Sequence, residues 1–431
     1  MTIKRLSYIF LLFAALNSFA QDITNSPYTR FGIGDIDRNG FNHSKAMGGL
    51  ATGLRASNQI NYLNPAAISA QDTMSFILDL GLSGVSKNLK SSSESTSFNN
   101  FAFDHFTISF PIQRWWFFSF GLTPYSKIGY NILQEEDYAL IDTVNLFYNY
   151  YGNGGINQLF MANSFKIGKN LAIGINTNYL FGSLEQYTQA YLDKADSYST
   201  VVKDKLTLNK LTFDFGLQYF NEINDKYFYV IGISYSNKIN FNTTKESSVF
   251  MTENFHLANV NVIDYLAYYN SDFDTISTAT DHNYKVEIPE RYSVGFTAGI
   301  KNKLTVGFDY SHQDWSEVKS LNIADNFTLD QTFNVGIEYT PDKFTLRNYL
   351  KRINYRAGFY LNNSYIQLQN EQIKNYGITF GLGFPITNQR TSLNVSYTYG
   401  KKGTINNGLI EETYSLFGIN LTLYDFWFFK R

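Results

Sequence analysis

From about Thr73 onward, apolar side chains fall at every second position, segment after segment. That is the period of a β-strand with two unlike faces, because successive side chains of an extended chain point to opposite sides. In the first segment Met74, Phe76, Leu78, Leu80 and Leu82 alternate with Ser75, Asp79, Gly81 and Ser83. Near the end Phe417, Ile419, Leu421 and Leu423 alternate with Gly418, Asn420 and Thr422. The pattern recurs at 106–112, 116–122, 159–167, 171–175, 211–219, 227–235, 292–300, 304–310, 333–339, 353–361, 376–386 and 393–399, which predicts about fourteen strands.

A half-buried strand in a soluble sandwich also alternates, so the connections must decide. They read long, then short. Ser86 to Asn100, Lys127 to Asn157, Glu185 to Asp204 and Asn240 to Glu287 are long, whereas Gln113–Arg114, Gly168 to Asn170, Asn221 to Lys226 and Lys301 to Lys303 are tight. Long loops at one rim and tight turns at the other are what an antiparallel outer-membrane barrel shows. An even strand number returns both ends of the barrel to the same, periplasmic side. The stretches 133–147 and 243–255 break the rhythm and carry charges, and are read as loops. Asp214, Arg291, Asp309, Glu338 and Arg356 alternate with apolar positions and are expected to face the lumen, since a basic residue in mid-bilayer costs about 2–4 kcal/mol. Pairing or hydration there explains them more simply than a substrate role. Trp115, Trp116, Phe426, Trp427 and Phe428 suit interfacial girdles.

Residues 21–72 lack the alternation. They are small and turn-rich, with Gly32, Gly34, Gly40, Gly48, Gly49, Gly53 and the tripeptide Asn64-Pro65-Ala66, and they suit either a plug folded into the barrel or a periplasmic tail. Pro65 steers Asn64 away from helix, so Asn64-Pro65-Ala66 predicts a defined chain reversal. At the start, Lys4 and Arg5 precede an apolar run from Leu6 to Leu16, and Ser18, Phe19 and Ala20 precede Gln21, as in a cleavable signal peptide over 1–20. The run is too short for a helix that must cross a bilayer with roughly 20 residues. The chain has no Cys, which removes disulfides, thiolate chemistry and lipoprotein acylation. A net charge of −2 gives no footprint for nucleic acid.

Beyond periodicity, Ala46-Met-Gly-Gly-Leu-Ala-Thr-Gly-Leu54 followed by Asn64-Pro65-Ala66 resembles the N-terminal hatch of the FadL-type long-chain fatty-acid transporter family. Gly152-Asn-Gly-Gly-Ile-Asn157 leading into Lys166-Ile-Gly-Lys-Asn-Leu-Ala-Ile-Gly174 is similar to the family's mid-barrel hairpin. Ile288-Pro-Glu-Arg-Tyr-Ser-Val-Gly-Phe296 with Trp315, and Tyr355-Arg-Ala-Gly-Phe359, match later blocks. The resemblance covers nearly the whole chain after residue 20. It implies an all-β transmembrane antiparallel barrel over 73–431, of about fourteen strands, closed by an N-terminal hatch over 21–72. It also implies passage of hydrophobic small molecules from outside, with exit sideways through the wall. Gly48, Gly49, Asn64, Pro65 and Ala66 match the hatch motif and would shape the plug. The terminal Lys430-Arg431 departs from the aromatic residue on which barrel-assembly signals commonly finish.

An enzyme would need a constellation that the sequence does not display. None of His43, His105, His256, His282 and His312 has metal-ligand spacing to another, and no Gly-x-Ser-x-Gly elbow or phosphate loop is present. His312, close to Asp309 and Asp314, is the best acid-base candidate, but its outward phase predicts an interfacial position. Gly152 to Gly155 suits a bulged loop end. Phe147, Tyr148, Tyr150 and Tyr151 could form an external landing surface or pack a loop onto the rim. The expected function is passive uptake of a hydrophobic ligand through a plugged barrel in the outer membrane of a Gram-negative bacterium, without cofactor or metal. The alternative is a same-fold scaffold or shuttle in protein secretion, with exported proteins as partners. Outer-membrane lipid surrounds the barrel in both, and the barrel-assembly machinery is a partner during biogenesis.

Overall fold

The structure, a computed structural model, describes residues 25–426 apart from 38, 138–144, 193–196, 254–273, 319–325 and 387–389. Residues 1–20, expected to form a signal peptide, and Trp427 and Phe428 lie outside the described residues. Two short strands, β1 (Asp35–Ile36) and β13 (Asn326–Phe327), accompany sixteen longer ones. The first of these are β2 (Ser75–Lys90), β3 (Ser95–Gln113), β4 (Trp116–Asp137), β5 (Asn145–Ile167), β6 (Leu171–Leu192) and β7 (Tyr198–Ile223). Next come β8 (Tyr227–Ser236), β9 (Ile239–Glu253), β10 (Asp274–Ile288), β11 (Arg291–Ile300) and β12 (Leu304–Asp314). The series ends with β14 (Leu329–Tyr339), β15 (Asn354–Leu368), β16 (Glu371–Pro385), β17 (Ser392–Gly403) and β18 (Glu411–Phe426).

Each long strand pairs antiparallel with its neighbour, and β18 pairs with β2 from Glu411↔Lys90 to Phe426↔Ser75, which closes the sheet. β8 and β9 are one wall strand broken at Asn237–Lys238, and β11 and β10 another broken at Pro289–Glu290, since β8 pairs with β11 and β9 with β10. The wall therefore has fourteen strands. The Ser75–Phe426 pairing puts both ends of the barrel at one rim, here called the near rim.

The period-two pattern sorts the two faces. Along β7, Leu211, Phe213, Phe215, Leu217 and Tyr219 are exposed on the outside, while Thr212 and Gln218 between them are buried inside. The same outward belt continues through Ile231 and Ile233, Val294 and Phe296, Ile378 and Phe380, and Phe417 and Ile419. A continuous apolar belt around a closed sheet is a lipid-facing surface, because in water each square ångström would cost roughly 25 cal/mol. Trp115 and Trp116 stack with Phe165 near the near rim, as interfacial aromatics do.

The far-rim connections differ from the expected long loops. Residues 133–137 and 145–147 belong to β4 and β5, and 243–253 belongs to β9, so neither 133–147 nor 243–255 is simply a loop. Ser86 to Asn100 is mostly strand around a tight turn in which Ser91 N donates to Glu94 O at 2.9 Å. A membrane strand needs only about 9–11 residues to cross the hydrocarbon, whereas β7 has 26. Beyond the lipid the strands continue by pairing alone, and no apolar face is required of them. Gly152 to Gly155 likewise lies inside β5, not at a loop end. A Cβ on Gly154 would sit 2.2 Å from Ser183 O on β6, so glycine is needed there for close strand approach. Phe147 stacks on Tyr191, and Arg30 lies 3.8 Å over the Tyr150 ring, so these aromatics pack within the barrel instead of forming a free landing surface.

Replacing Val294 by Arg puts a charge in the belt. A loss of about 2–4 kcal/mol is expected in denaturant unfolding from phosphatidylcholine bilayers; an unchanged midpoint would mean that Val294 does not face hydrocarbon.

Candidate functional site

The N-terminal segment runs inside the barrel, and the local chemistry of its turns explains its path. Asn64 is extended (φ −128°, ψ 101°), accepts from Ala66 N at 3.2 Å and leads into a 3-10 turn over Pro65–Ala70. Asparagine caps the free amide while proline supplies the preset first residue of the turn. The Asn64 amide also donates to Thr52 O at 2.7 Å, which ties the reversal to the Ala46–Leu54 stretch. A single helical turn over Asn42–Lys45 precedes that stretch.

Nine wall strands present a glycine where the segment passes. A Cβ would lie 2.4 Å from Pro65 C at Gly174, 2.1 Å from Asn64 Oδ1 at Gly216 and 1.9 Å from Thr52 O at Gly232. At Gly295 it would lie 2.4 Å from Gly53 N, and at Gly307 2.6 Å from Leu50 Cδ2. At Gly336, Gly358, Gly381 and Gly418 it would collide with Met47 O, Gly48 N, Ala46 Cβ and Asn42 Oδ1, all within 2.4 Å. The wall is thus cut to the segment's shape. The reverse also holds at Gly48, whose φ of +71° and 2.6 Å Cβ distance to Phe359 O both require glycine. Gly49, at φ +83°, opens toward Asn334, whose Nδ2 donates to Gly49 O at 3.1 Å.

Polar side chains from the wall fasten the segment. Asp309 receives the amides of Ala51 and Thr52 at 2.6 Å and of Gly53 at 3.2 Å, so one carboxylate fills a cradle of three N–H donors. Thr379 accepts from Gly48 N at 2.9 Å and donates to Ala46 O at 3.0 Å. Thr297 donates to Gly53 O at 2.8 Å, and Asn176 to Tyr62 O at 2.6 Å. Glu338 bridges Arg356 Nε at 2.6 Å and His43 Nε2 at 3.1 Å. Arg356 also donates to Asn394 Oδ1 at 2.8 Å. Asp214 accepts from Asn178 at 2.7 Å, and Arg291 lines the interior. Asp309 and Glu338 therefore bind the N-terminal segment and Arg356 reaches it through Glu338, while Asp214 and Arg291 line an interior hollow that Asp37 and Tyr62 of the segment also border.

Between the segment and the far rim lies a cavity of about 280 Å³. Charged pairs line it: Lys45 with Asp104 and Asp37, Lys87 with Glu412 at 3.0 Å, and Lys402 with Asp35. His105 sits between Asp79 and Asp104 at 3.3 and 2.8 Å and stacks on Phe41 with centroids 3.8 Å apart. Burial works against the charge on Lys45, yet Asp104 and Asp37 outweigh it and hold the ammonium above the usual lysine range. Burial, then Arg356, depresses the proton affinity of His43. Nothing in the glycine cuts or in Thr297, Thr379 and Asn176 was anticipated from the alternation. The available signal was a glycine recurring in the inward phase of successive strands. His312 points outward, away from Asp309. Among the described residues no group of His, Asp and Glu could hold a metal ion.

The wall has a seam beside this cavity. Among the described residues β3 and β4 pair only from Phe106↔Leu122 to Gln113↔Trp116; farther out, β3 stays paired with β2 and β4 with β5, but not with each other. Extra residues at Asp104 and Tyr125 splay the two strands there. β1 of the N-terminal segment adds to the freed edge of β4, with Asp35↔Lys127 and Ile36↔Ser126.

The family model described as BamG matches residues 2–431. No curated protein matches. Solved structures share the fold: a FadL homologue from Pseudomonas aeruginosa has 13% identity and a TM-score of 0.58, covering 89% of this chain and 98% of that one. The toluene transporter TbuX from Ralstonia pickettii has 14% identity and a TM-score of 0.59, covering 90% and 98%. The toluene transporter TodX from P. putida has 13% identity and a TM-score of 0.56, covering 91% and 99%. The architecture is thus that of the FadL-type barrels.

Asp309→Ala strands three buried amides, and about 3 kcal/mol of local stability should go with them. Tryptic cleavage after Arg55 is expected to accelerate by roughly a hundredfold while the barrel stays folded; an unchanged cleavage rate would remove Asp309 as a fastener. His43 generates a pH dependence. Its proton affinity is depressed in the fold, so below about pH 6.5 the opened chain takes up a proton that the folded one refuses. Stability is therefore full above that value and declines as pH falls further. The Tm by circular dichroism should drop from pH 7 to pH 5, and less so in His43→Gln; equal drops would assign the effect to other groups.

Proposed function

The chain belongs to the BamG family, and from that premise we propose that it is a plugged outer-membrane barrel serving as a scaffold in barrel assembly. Residues 21–72 act as the plug, the near rim faces the periplasm, and no covalent chemistry is involved. The observation that carries this reading is the fastening of the plug: nine glycine-cut strands and the Asp309 cradle make it a fixed part of the wall. The ion pairs that edge the cavity above it support the same reading, because an apolar passenger would have to desolvate pairs such as Lys87–Glu412. A barrel that cannot open cheaply is suited to hold partners against the membrane.

The β3–β4 seam favours a second reading, passage of hydrophobic small molecules sideways from the lumen into the bilayer. Phe101, exposed on one lip, and the seam's position beside the cavity agree with it. The relatives in fold named as toluene transporters lend it support.

Purification of the tagged full chain in mild detergent separates the two. Scaffolding predicts co-purification with the assembly machinery, and lower levels of folded barrels when the chain is depleted. Isolation alone, with barrel levels unchanged and fatty-acid uptake lost, would overturn scaffolding in favour of passage.

A further inference from the structure

The near-rim mouth of the barrel forms a vestibule of about 620 Å³ below the N-terminal segment. Its carboxylates are already engaged: Asp72 pairs with Arg390, Glu222 with Lys301, and Glu338 with Arg356. Six further cations line the same space, Arg55, Arg114, Lys166, Lys303, Lys343 and Arg352, and none has a carboxylate partner among the described residues. Arg55 is the most telling. Its guanidinium donates to Ala66 O, Gln218 Oε1 and Ser69 Oγ at 3.0–3.3 Å and lies 3.8 Å over the Phe220 ring, so every partner is neutral. Among the described residues Arg352 Nε is buried with no hydrogen-bond partner, and Lys343 donates to Asn302 Oδ1 at 3.0 Å, with Glu338 and Asp72 acting on it only from beyond ion-pair distance. Like charges gathered around one concave space repel one another and raise its potential, which favours an anionic occupant.

The placement of the six narrows the class of occupant. They come from the N-terminal segment, the β3–β4 turn, β5, the β11–β12 turn and the 340–353 connection, so they encircle the mouth. One phosphate cannot reach all of them, and a flat bilayer meets the outside of the barrel instead of its mouth. An extended acidic chain can enter. The 340–353 connection adds an apolar lip, with Leu346 91% exposed and Phe344 and Leu350 uncovered beside it. Tyr349 OH fastens that lip to Pro385 O at 3.0 Å.

We propose that this vestibule docks an acidic polypeptide segment of a partner protein, with the carboxylates in the mouth and apolar residues on the 340–353 lip. The proposal rests on the scaffold reading and names the chemistry of its partner.

The test uses the full chain in nanodiscs of zwitterionic phosphatidylcholine, with a fluorescent oligo-glutamate peptide followed by anisotropy. Binding is expected, weakened by salt, and weakened about tenfold or more by Lys303→Glu with Lys343→Glu. Lys169→Glu with Lys226→Glu, at the same rim but outside the vestibule, is expected to leave it unchanged. No binding, equal binding by both variants, or equal loss in both would overturn the proposal. So would discs containing phosphatidylglycerol that displace the peptide from the wild type, since the cations would then serve lipid. Co-purification with the assembly machinery that survives the Lys303/Lys343 reversal would overturn the acidic dock alone and leave scaffolding standing.

Discussion

The contact between nine inward glycines and the N-terminal segment is the constraint on which the rest of the structure depends. Van der Waals repulsion rises so steeply that a single methyl at Gly216 or Gly232 would require the segment or the wall to move. From Asn42 to Pro65 the segment circles the inner wall, touching β18, β16, β14, β15, β12, the β8–β11 pair, β7 and β6 nearly in spatial order. Its path is therefore set by the wall's sequence as much as by its own. The hydrogen bonds that Asp309 accepts, and those that Thr297, Thr379 and Asn176 make with the segment, then select one register along that path. Without the glycine clearances those donors and acceptors could not approach.

The lipid-facing half of the fold was legible because hydrocarbon imposes period two on every strand that crosses it. Leu211 to Tyr219 and Phe417 to Leu423 could be placed on sight. The outer reaches of β4, β5 and β9 could not, because beyond the lipid backbone pairing sustains a strand without any apolar face. Charged residues such as Glu135 and Lys245 therefore read as loop while sitting in strand. Asn64 and Pro65 announced a chain reversal through local chemistry that needs no tertiary context. The glycines that receive it did not announce themselves. Gly216 and Gly295 look like weak points in an alternating strand until the partner that fills the gap is known.

The interior combines two properties that pull in different directions. The β3–β4 seam is an interruption in the wall, next to a cavity, in an architecture shared with toluene transporters. Yet that cavity is edged by ion pairs, and β1 occupies the freed edge of β4. Paired charges such as Lys402–Asp35 tolerate burial because each satisfies the other, and an apolar solute would replace the water around them with nothing of equal worth. The apolar clusters that do exist, such as Trp315 stacked on Tyr365 at 4.3 Å, are packed side chains and not open space. A closely seated N-terminal segment, a chamber edged by ion pairs and a basic mouth are the features on which the proposed scaffold role rests.

Hydrogen exchange on the full chain in nanodiscs at neutral pH tests the seating of the N-terminal segment most directly. The amides of Ala46–Leu54 and Ala66–Ala70 are expected to exchange as slowly as those of β11 and β12. Exchange of those amides as rapid as in the exposed turn at 91–94 would contradict that seating.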